Sequence, residues 1–396
     1  MDLTMVFPTD YGNHVRSYPG ALHFGELLRT PLDLGVWALL EPAGRQNHAP
    51  QLHWIDANTL ACVWMAGDRE GTSGMSVFGS TLTQGQGAWT APKRLSQDSL
   101  RSEQNPLLYR THDGLLHLVH TAQEPRIQGD ASWQQQESSF SMQWTAVLRH
   151  QQTLAWDRPW SAASDLIDEP LFCRNPPLVV DDQSILLPVY RSLEAGGAFG
   201  HDHSFVLVLQ AGANAGSGYL VPVPESVGRV HGSIVYSADR KCLLQFFRSR
   251  LADCVYRSVG QADGLHWSAP EPVDLPNNNS SIQALRLQCG LLALVFNRIG
   301  SGTPSQRQWG EAVWPRERWP LSIAVSADDG NSWPWIRDID RGDGYCGMAN
   351  WHLNRQLAYP TLVEGAPGEL HLAYSWADRS AIRYVSLMIG DVVGAS

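Results

Sequence analysis

The chain has 396 residues, a formal net charge of −10 and only 17% charged residues, with 35 Gly, 24 Pro and 16 Trp. No basic stripe is present to neutralise phosphates, which argues against nucleic acid as a partner, and no apolar run is long enough to span a membrane. A turn-rich, aromatic-rich composition at this length points to an all-β fold built by repetition, not around one ordinary core.

The N-terminal stretch Met1-Asp-Leu-Thr-Met-Val-Phe-Pro8 has neither a basic n-region nor an apolar core of signal-peptide length, so a cytoplasmic location is expected. Six segments then open alike, most with Asn or Pro ahead of an apolar run. They are Asn47-His48-Ala49-Pro50, Gln104-Asn105-Pro106, Arg174-Asn175-Pro176-Pro177, His231-Gly232-Ser233, Asn277-Asn278-Asn279-Ser280 and Tyr359-Pro360. Runs such as Leu60–Met65, Leu115–Val119, Leu291–Phe296 and Leu370–Tyr374 read as strands. A tryptophan ahead of a polar-proline step recurs as Trp89, Trp156 and Trp267, and Trp333 closes Ser326-Ala-Asp328-Asp-Gly330-Asn-Ser-Trp333. That last segment predicts a tight hairpin, with positive φ at Gly330, Asp328 bonded to nearby amides and Trp333 as an apolar cover. Trp89 and Trp156 are 67 residues apart and Trp267 and Trp333 are 66 apart, while the wider gap between holds a unit lacking its Trp near Gly216-Ser-Gly218. The repeat predicts one domain over residues 1–396, a six-bladed β-propeller of four-stranded antiparallel blades. Its ends are expected to close by pairing the N-terminal strand into the last blade.

In such a ring the innermost strands converge on the axis. Functional residues are therefore expected at the six openings and at the ends of the next strands. Those ends are Asp68-Arg69-Glu70, Tyr190-Arg191, Arg248, Asn297-Arg298 and Tyr374-Ser-Trp376. Arg174, Arg191, Arg248 and Arg298 adjoin apolar segments, and a buried arginine is costly unless paired. Two readings stand: each pairs with a local carboxylate, or several converge on a substrate carboxylate that matches the guanidinium fork. Asp68 and Glu70 lie in a Gly-flanked turn, with Glu70 either a base or an arginine's partner. His48 and His231 are proton-transfer candidates near neutral pH or satisfied structural groups. Tyr359 opens the last unit, and a tyrosine beside arginines can ionise as nucleophile or base, the alternative being a core aromatic. Asn105, Asn279, Tyr190 and Trp376 complete the expected substrate contacts. His201-Asp-His203 is Gly-flanked and reads as a surface loop; no metal and no cofactor is expected. Six single cysteines, at 62, 173, 242, 254, 289 and 346, read as buried free thiols.

With these pieces the chain resembles the sialidase-like proteins with BNR (Asp-box) repeats, the predicted neuraminidases. The matching residues run from Asn47-His-Ala49 to Ile382-Arg-Tyr-Val385 and include Trp64-Met-Ala-Gly67 with Glu70-Gly71, Arg174-Asn-Pro-Pro177, Arg318-Trp-Pro-Leu321 and Tyr374-Ser-Trp376. The resemblance implies a six-bladed propeller. It also implies a glycosidase in which three arginines hold the substrate carboxylate, a tyrosine assisted by a glutamate attacks, and an aspartate is the acid–base group. The family's Phe/Tyr-Arg-Ile-Pro segment, source of its first arginine, is missing here; Arg126-Ile127 is followed by Gln128. The expected function is a sialidase-like glycoside hydrolase acting on a small carboxylate-bearing sugar. Alternatives are a uronate lyase, a cytoplasmic isomerase or cyclase, and a non-catalytic binding propeller.

Overall fold

The computed structural model describes residues 23–29, 35–125, 146–180, 184–192, 201–210, 218–306, 312–342 and 355–394. Strand β1 (Val36–Leu39) precedes a first blade of β2 (Gln46–Trp54), β3 (Thr59–Gly67), β4 (Ser76–Thr83) and β5 (Lys93–Arg94). The second blade is β6 (Ser102–Arg110), β7 (Leu116–Gln123), β8 (Val147–Thr153) and β9 (Ser164–Asp165). In the third, the inner strand is split into β10 (Phe172–Cys173) and β11 (Leu178–Val179), both paired with β12 (Ser184–Ser192), then β13 (Asp202–Gln210) and β14 (Tyr219–Pro222). The fourth holds β15 (Arg229–Tyr236), β16 (Cys242–Ser249), β17 (Cys254–Gln261) and β18 (Glu271–Pro276). The fifth holds β19 (Gln283–Arg286), β20 (Leu292–Asn297), β21 (Leu321–Ser326) and β22 (Trp335–Asp340). The sixth is β23 (Ala358–Glu364), β24 (Glu369–Trp376) and β25 (Ala381–Met388), followed by a short helix α1 (Gly390–Val393). Strand β1 pairs antiparallel with β25 and completes the sixth blade, as the sequence predicted. The protein is an all-β, six-bladed propeller.

The core is six apolar layers, each between two neighbouring blades. Period-two alternation explains why second strands read as unbroken apolar runs: both faces of each sheet are buried. On β16, Phe246 joins the layer shared with the fifth blade and Phe247 the layer shared with the third. On β3, Val63 faces the second blade while Cys62 and Trp64 face the sixth.

The hairpin at 326–333 links the third and fourth strands of its blade, on the propeller's outside. Ser326 Oγ donates to Asp328 Oδ1 at 2.7 Å, and Asp328 Oδ1 accepts from the Ser332 amide at 2.8 Å. Gly330 has φ +82°, and a Cβ there would meet Trp333 and Phe246 at 3.0 and 3.1 Å. Two expectations are corrected. His201-Asp-His203 is no surface loop but runs into β13, because Asp202 is drawn inside to pair with Arg250 at 2.7 Å. Of the cysteines, 62, 173 and 254 are buried, but Cys242 is half-buried and Cys289 exposed; Cys346, like Arg126, Ile127 and Gly216, lies outside the described residues.

Candidate active site

Register brings the predicted positions together. Gln46 pairs with Gly67, Val230 with Arg248 and Ala358 with Ser375, so each first strand starts beside the end of the second. The inner strands are kinked there. Register shifts follow His48, Gln104, Val230 and Ala358, and Ala49, Asn105, His231 and Tyr359 have φ between +50° and +55°. A bulge re-aims a side chain; holding a tyrosine or histidine in the left-handed region costs conformational energy of the kind concentrated at functional sites.

Tyr359 is the centre of this end of the ring and is half-buried. Its hydroxyl accepts a 2.9 Å hydrogen bond from Nη1 of Arg248, a fully buried side chain. Three guanidiniums surround its ring: Arg174 at 5.3 Å, Arg318 at 5.5 Å and Arg248 at 5.6 Å. His48 lies 4.3 Å from the ring and His231 5.4 Å, edge-on. Burial alone would raise the phenol's pKa, yet Arg248 and Arg318 bring it below its ordinary value. Burial, reinforced by the same arginines, holds His48 and His231 well below the usual imidazole range, so both are neutral.

Each arginine is placed by its own blade. Arg174, on the interruption between β10 and β11, reaches across the ring to donate through Nη2 to the carbonyls of Tyr359 at 2.9 Å and Pro50 at 3.2 Å. Its Nε and Nη1 are buried with no hydrogen-bond partner among the described residues. Arg248 is fixed by Asn279, whose Oδ1 accepts from Nε at 2.9 Å and from Nη2, and whose Nδ2 donates to the Val313 carbonyl at 2.8 Å. Arg250 pairs with Asp202 and lies under Trp314, which is 37% exposed. Arg379 pairs with Glu70. It sits in a turn where Ala377, Asp378 and Arg379 all have positive φ, clasped by Asn47, whose amide bonds the Arg379 carbonyl at 2.7 Å and whose Nδ2 bonds that of Ser380 at 3.1 Å.

Of the predicted residues, the structure brings together Tyr359, His48, His231, Arg174, Arg248, Asn279, Tyr190 and Glu70. Tyr190 shares a 3.2 Å hydrogen bond with His231 Nε2, and His231 Nδ1 one of 3.1 Å with Ser281. Asp68 is exposed in the turn that carries Glu70. Arg191 and Arg298 are not brought in. Each follows a residue aimed inward, Tyr190 or Asn297, so alternation turns it to the other face. Arg191 pairs with Glu169 at 2.9 Å and Arg298 with Asp338 at 2.8 Å. Trp376 is buried in the layer between the fifth and sixth blades, and Asn105 is buried, its carbonyl facing Cys173 Sγ at 3.6 Å. Sequence reasoning missed Arg250, Arg318 and Arg379 as site residues. Arg318 belongs to the segment Arg318-Trp-Pro-Leu321, but nothing in those residues shows that its guanidinium comes to lie over Tyr359.

Among the described residues no three His, Cys, Asp or Glu side chains converge as a metal site needs. A groove of about 580 Å³ between the first two blades, lined by Arg94, Asp98, Glu103 and Arg149, is separate from this centre. Its Arg149 pairs with Asp98 and Asp165, and its Arg94 lies over the Phe78 ring at 5.3 Å.

Solved structures share the architecture. A Hadza microbial sialidase aligns with TM-score 0.66 at 11% identity, over 88% of this chain and 67% of its own. The NanB sialidase from Streptococcus pneumoniae aligns with TM-score 0.65 at 10% identity, over 93% and 71%. A leech intramolecular trans-sialidase, solved with 2,7-anhydro-Neu5Ac, aligns with TM-score 0.63 at 12% identity, over 95% and 72%. No curated protein matches the chain. The model of the BNR repeat-like domain matches residues 58–372, the greater part of the propeller, and the chain belongs to that family.

Proposed function

We propose that the protein is a sialidase-like glycoside hydrolase acting on a small carboxylate-bearing sugar. The observation that carries this reading is the half-buried Tyr359, bonded by Arg248 and ringed by arginines, of which Arg174, Arg248 and Arg318 have no carboxylate partner among the described residues. Guanidiniums left without counter-charge in a partly buried site favour an anionic ligand. Arg248 and Arg318 would hold the substrate carboxylate and Tyr359 would attack the anomeric carbon. Glu70 is engaged by Arg379, so Asp68, in the same turn and with no arginine partner among the described residues, is assigned the proton transfer to the leaving oxygen. Water would then displace the tyrosine and return its proton to Asp68.

The test is turnover of a fluorogenic sialoside beside a panel of uronate-containing oligosaccharides. Release of fluorophore, lost by about 10³-fold or more in Tyr359→Phe with near-UV dichroism intact, supports the hydrolase. One observation favours a second reading, a uronate lyase: His48 Nε2 is buried without a partner, and its ring lies 4.3 Å from that of Tyr359, a pairing suited to moving a proton from the carbon beside a neutralised carboxylate. Growth of unsaturated-product absorbance would establish that reading. Silence on both panels would leave a binding propeller.

A further inference from the structure

We propose that Tyr359 rests as a phenolate, held in that state by the guanidiniums of Arg248, Arg174 and Arg318, so that no carboxylate has to deprotonate it before it reacts. As a route to the nucleophile this rests on the hydrolase reading; as a statement about the resting protein it does not.

The geometry is specific. The one hydrogen bond to the Tyr359 hydroxyl comes from Arg248 Nη1, which only donates, and no acceptor for the phenol's own proton occurs among the described residues. The neighbouring histidines do not take it. Nδ1 of His231 faces Ser281 and Arg248, and its Nε2 faces Tyr190. His48 stacks on the Tyr359 ring and shares its own hydrogen bond, 2.7 Å long, with Ser375. Glu70, which the family pattern would cast as the tyrosine's helper, is engaged by Arg379.

Charge balance points the same way. Among the described residues, the five guanidiniums of Arg174, Arg248, Arg250, Arg318 and Arg379 have three carboxylates coupled to them, on Asp202, Glu70 and the exposed Asp378. Two positive charges remain. A phenolate at Tyr359 neutralises one, and burial makes that compensation favourable where no other anion is supplied. The other matches a substrate with a single negative charge. The phenolate explains Arg174 as well: it is buried against the ring, uses one nitrogen on backbone carbonyls and has no carboxylate beside it. In the reaction, the phenolate's electron pair forms the bond to the anomeric carbon, and the departing oxygen takes the glycosidic pair and a proton from Asp68. Water later restores both the phenolate and the Asp68 proton, so each turnover consumes one water and no base.

The experiment is a pH titration of protein labelled with 13Cζ-tyrosine, with the Tyr359 signal assigned by its loss in Tyr359→Phe. The expected result is a downfield phenolate signal already present at pH 8. Arg248→Gln, or Arg318→Gln on the half-buried connection should the first variant not fold, moves its midpoint upward by about 1–3 pH units. A wild-type signal that stays at the phenol position up to pH 10 overturns the proposal, whatever the variants do. Turnover with a neutral phenol would sink this inference and leave the hydrolase standing; a phenolate without turnover on any acidic sugar would do the reverse.

Discussion

At the scale of single residues, the site depends on how tightly its arginines are aimed. Asn279 touches Arg248 through one oxygen that accepts two of its N–H groups, and Asn279 itself stands at φ +59°. Asn279→Ala leaves two donors of a buried guanidinium without an acceptor, a loss of about 1–3 kcal/mol. The expected outcome is a fall of about 10–100-fold in kcat/KM, most of it in KM for the acidic sugar if Arg248 grips the carboxylate. Unchanged kinetics would show that Arg248 is placed by other contacts. Arg191→Ala and Arg298→Ala are the contrasting pair. Their ion pairs are partly exposed, so each should change stability by no more than about 0.5 kcal/mol and leave turnover alone. Urea melts and steady-state rates check both, and a tenfold loss of rate in either would return that residue to the site.

At the scale of elements, the hairpin at 326–333 shows what one motif can and cannot disclose. Gly330→Ala places a methyl group against Trp333 and Phe246 at a left-handed position and should cost about 1–3 kcal/mol with no change in KM. A differential scan checks it, and an unchanged Tm would mean that the turn relaxes freely. The blades themselves were legible because their signals are local: a kinked opening, an apolar run, a tryptophan after a turn. The site was legible where it inherits those signals. Tyr359, His48, His231 and Arg174 sit at openings, and Arg248 closes an apolar run. Arg191 and Arg298 also close such runs, but which face the final residue takes depends on the parity of the strand, and one register step decides it. Arg379 lay hidden in the four-residue turn Ala377–Ser380, whose three consecutive positive φ angles belong to no glycine, so the chain offers no composition cue. The β20–β21 connection conceals Arg318 and Trp314 for a different reason: a long loop has no period from which to read a direction.

At the scale of the whole molecule, neutral buried histidines set the response to acid. Burial brings His53 and His117 down to about 4 and holds His48 and His231 well below their usual value. In the unfolded chain these groups take up protons below about pH 6.5, where the folded protein does not. Their contribution to stability is therefore complete above about pH 6.5 and is lost progressively as pH falls toward 4. The midpoint of urea unfolding should decline between pH 6.5 and 4.5, before most carboxylates titrate; a flat midpoint down to pH 5 would contradict the burial of these rings. The seam between β1 and β25 has a consequence in time. Glu70 meets Arg379 across 309 residues, His48 meets Ser375 across 327, and Arg174 meets the Tyr359 backbone across 185. During synthesis the first blade leaves the ribosome long before its partners from the sixth exist. Asn47, His48 and Glu70 therefore wait without their partners until the sixth blade has been made, and the ring closes only when the two blades meet.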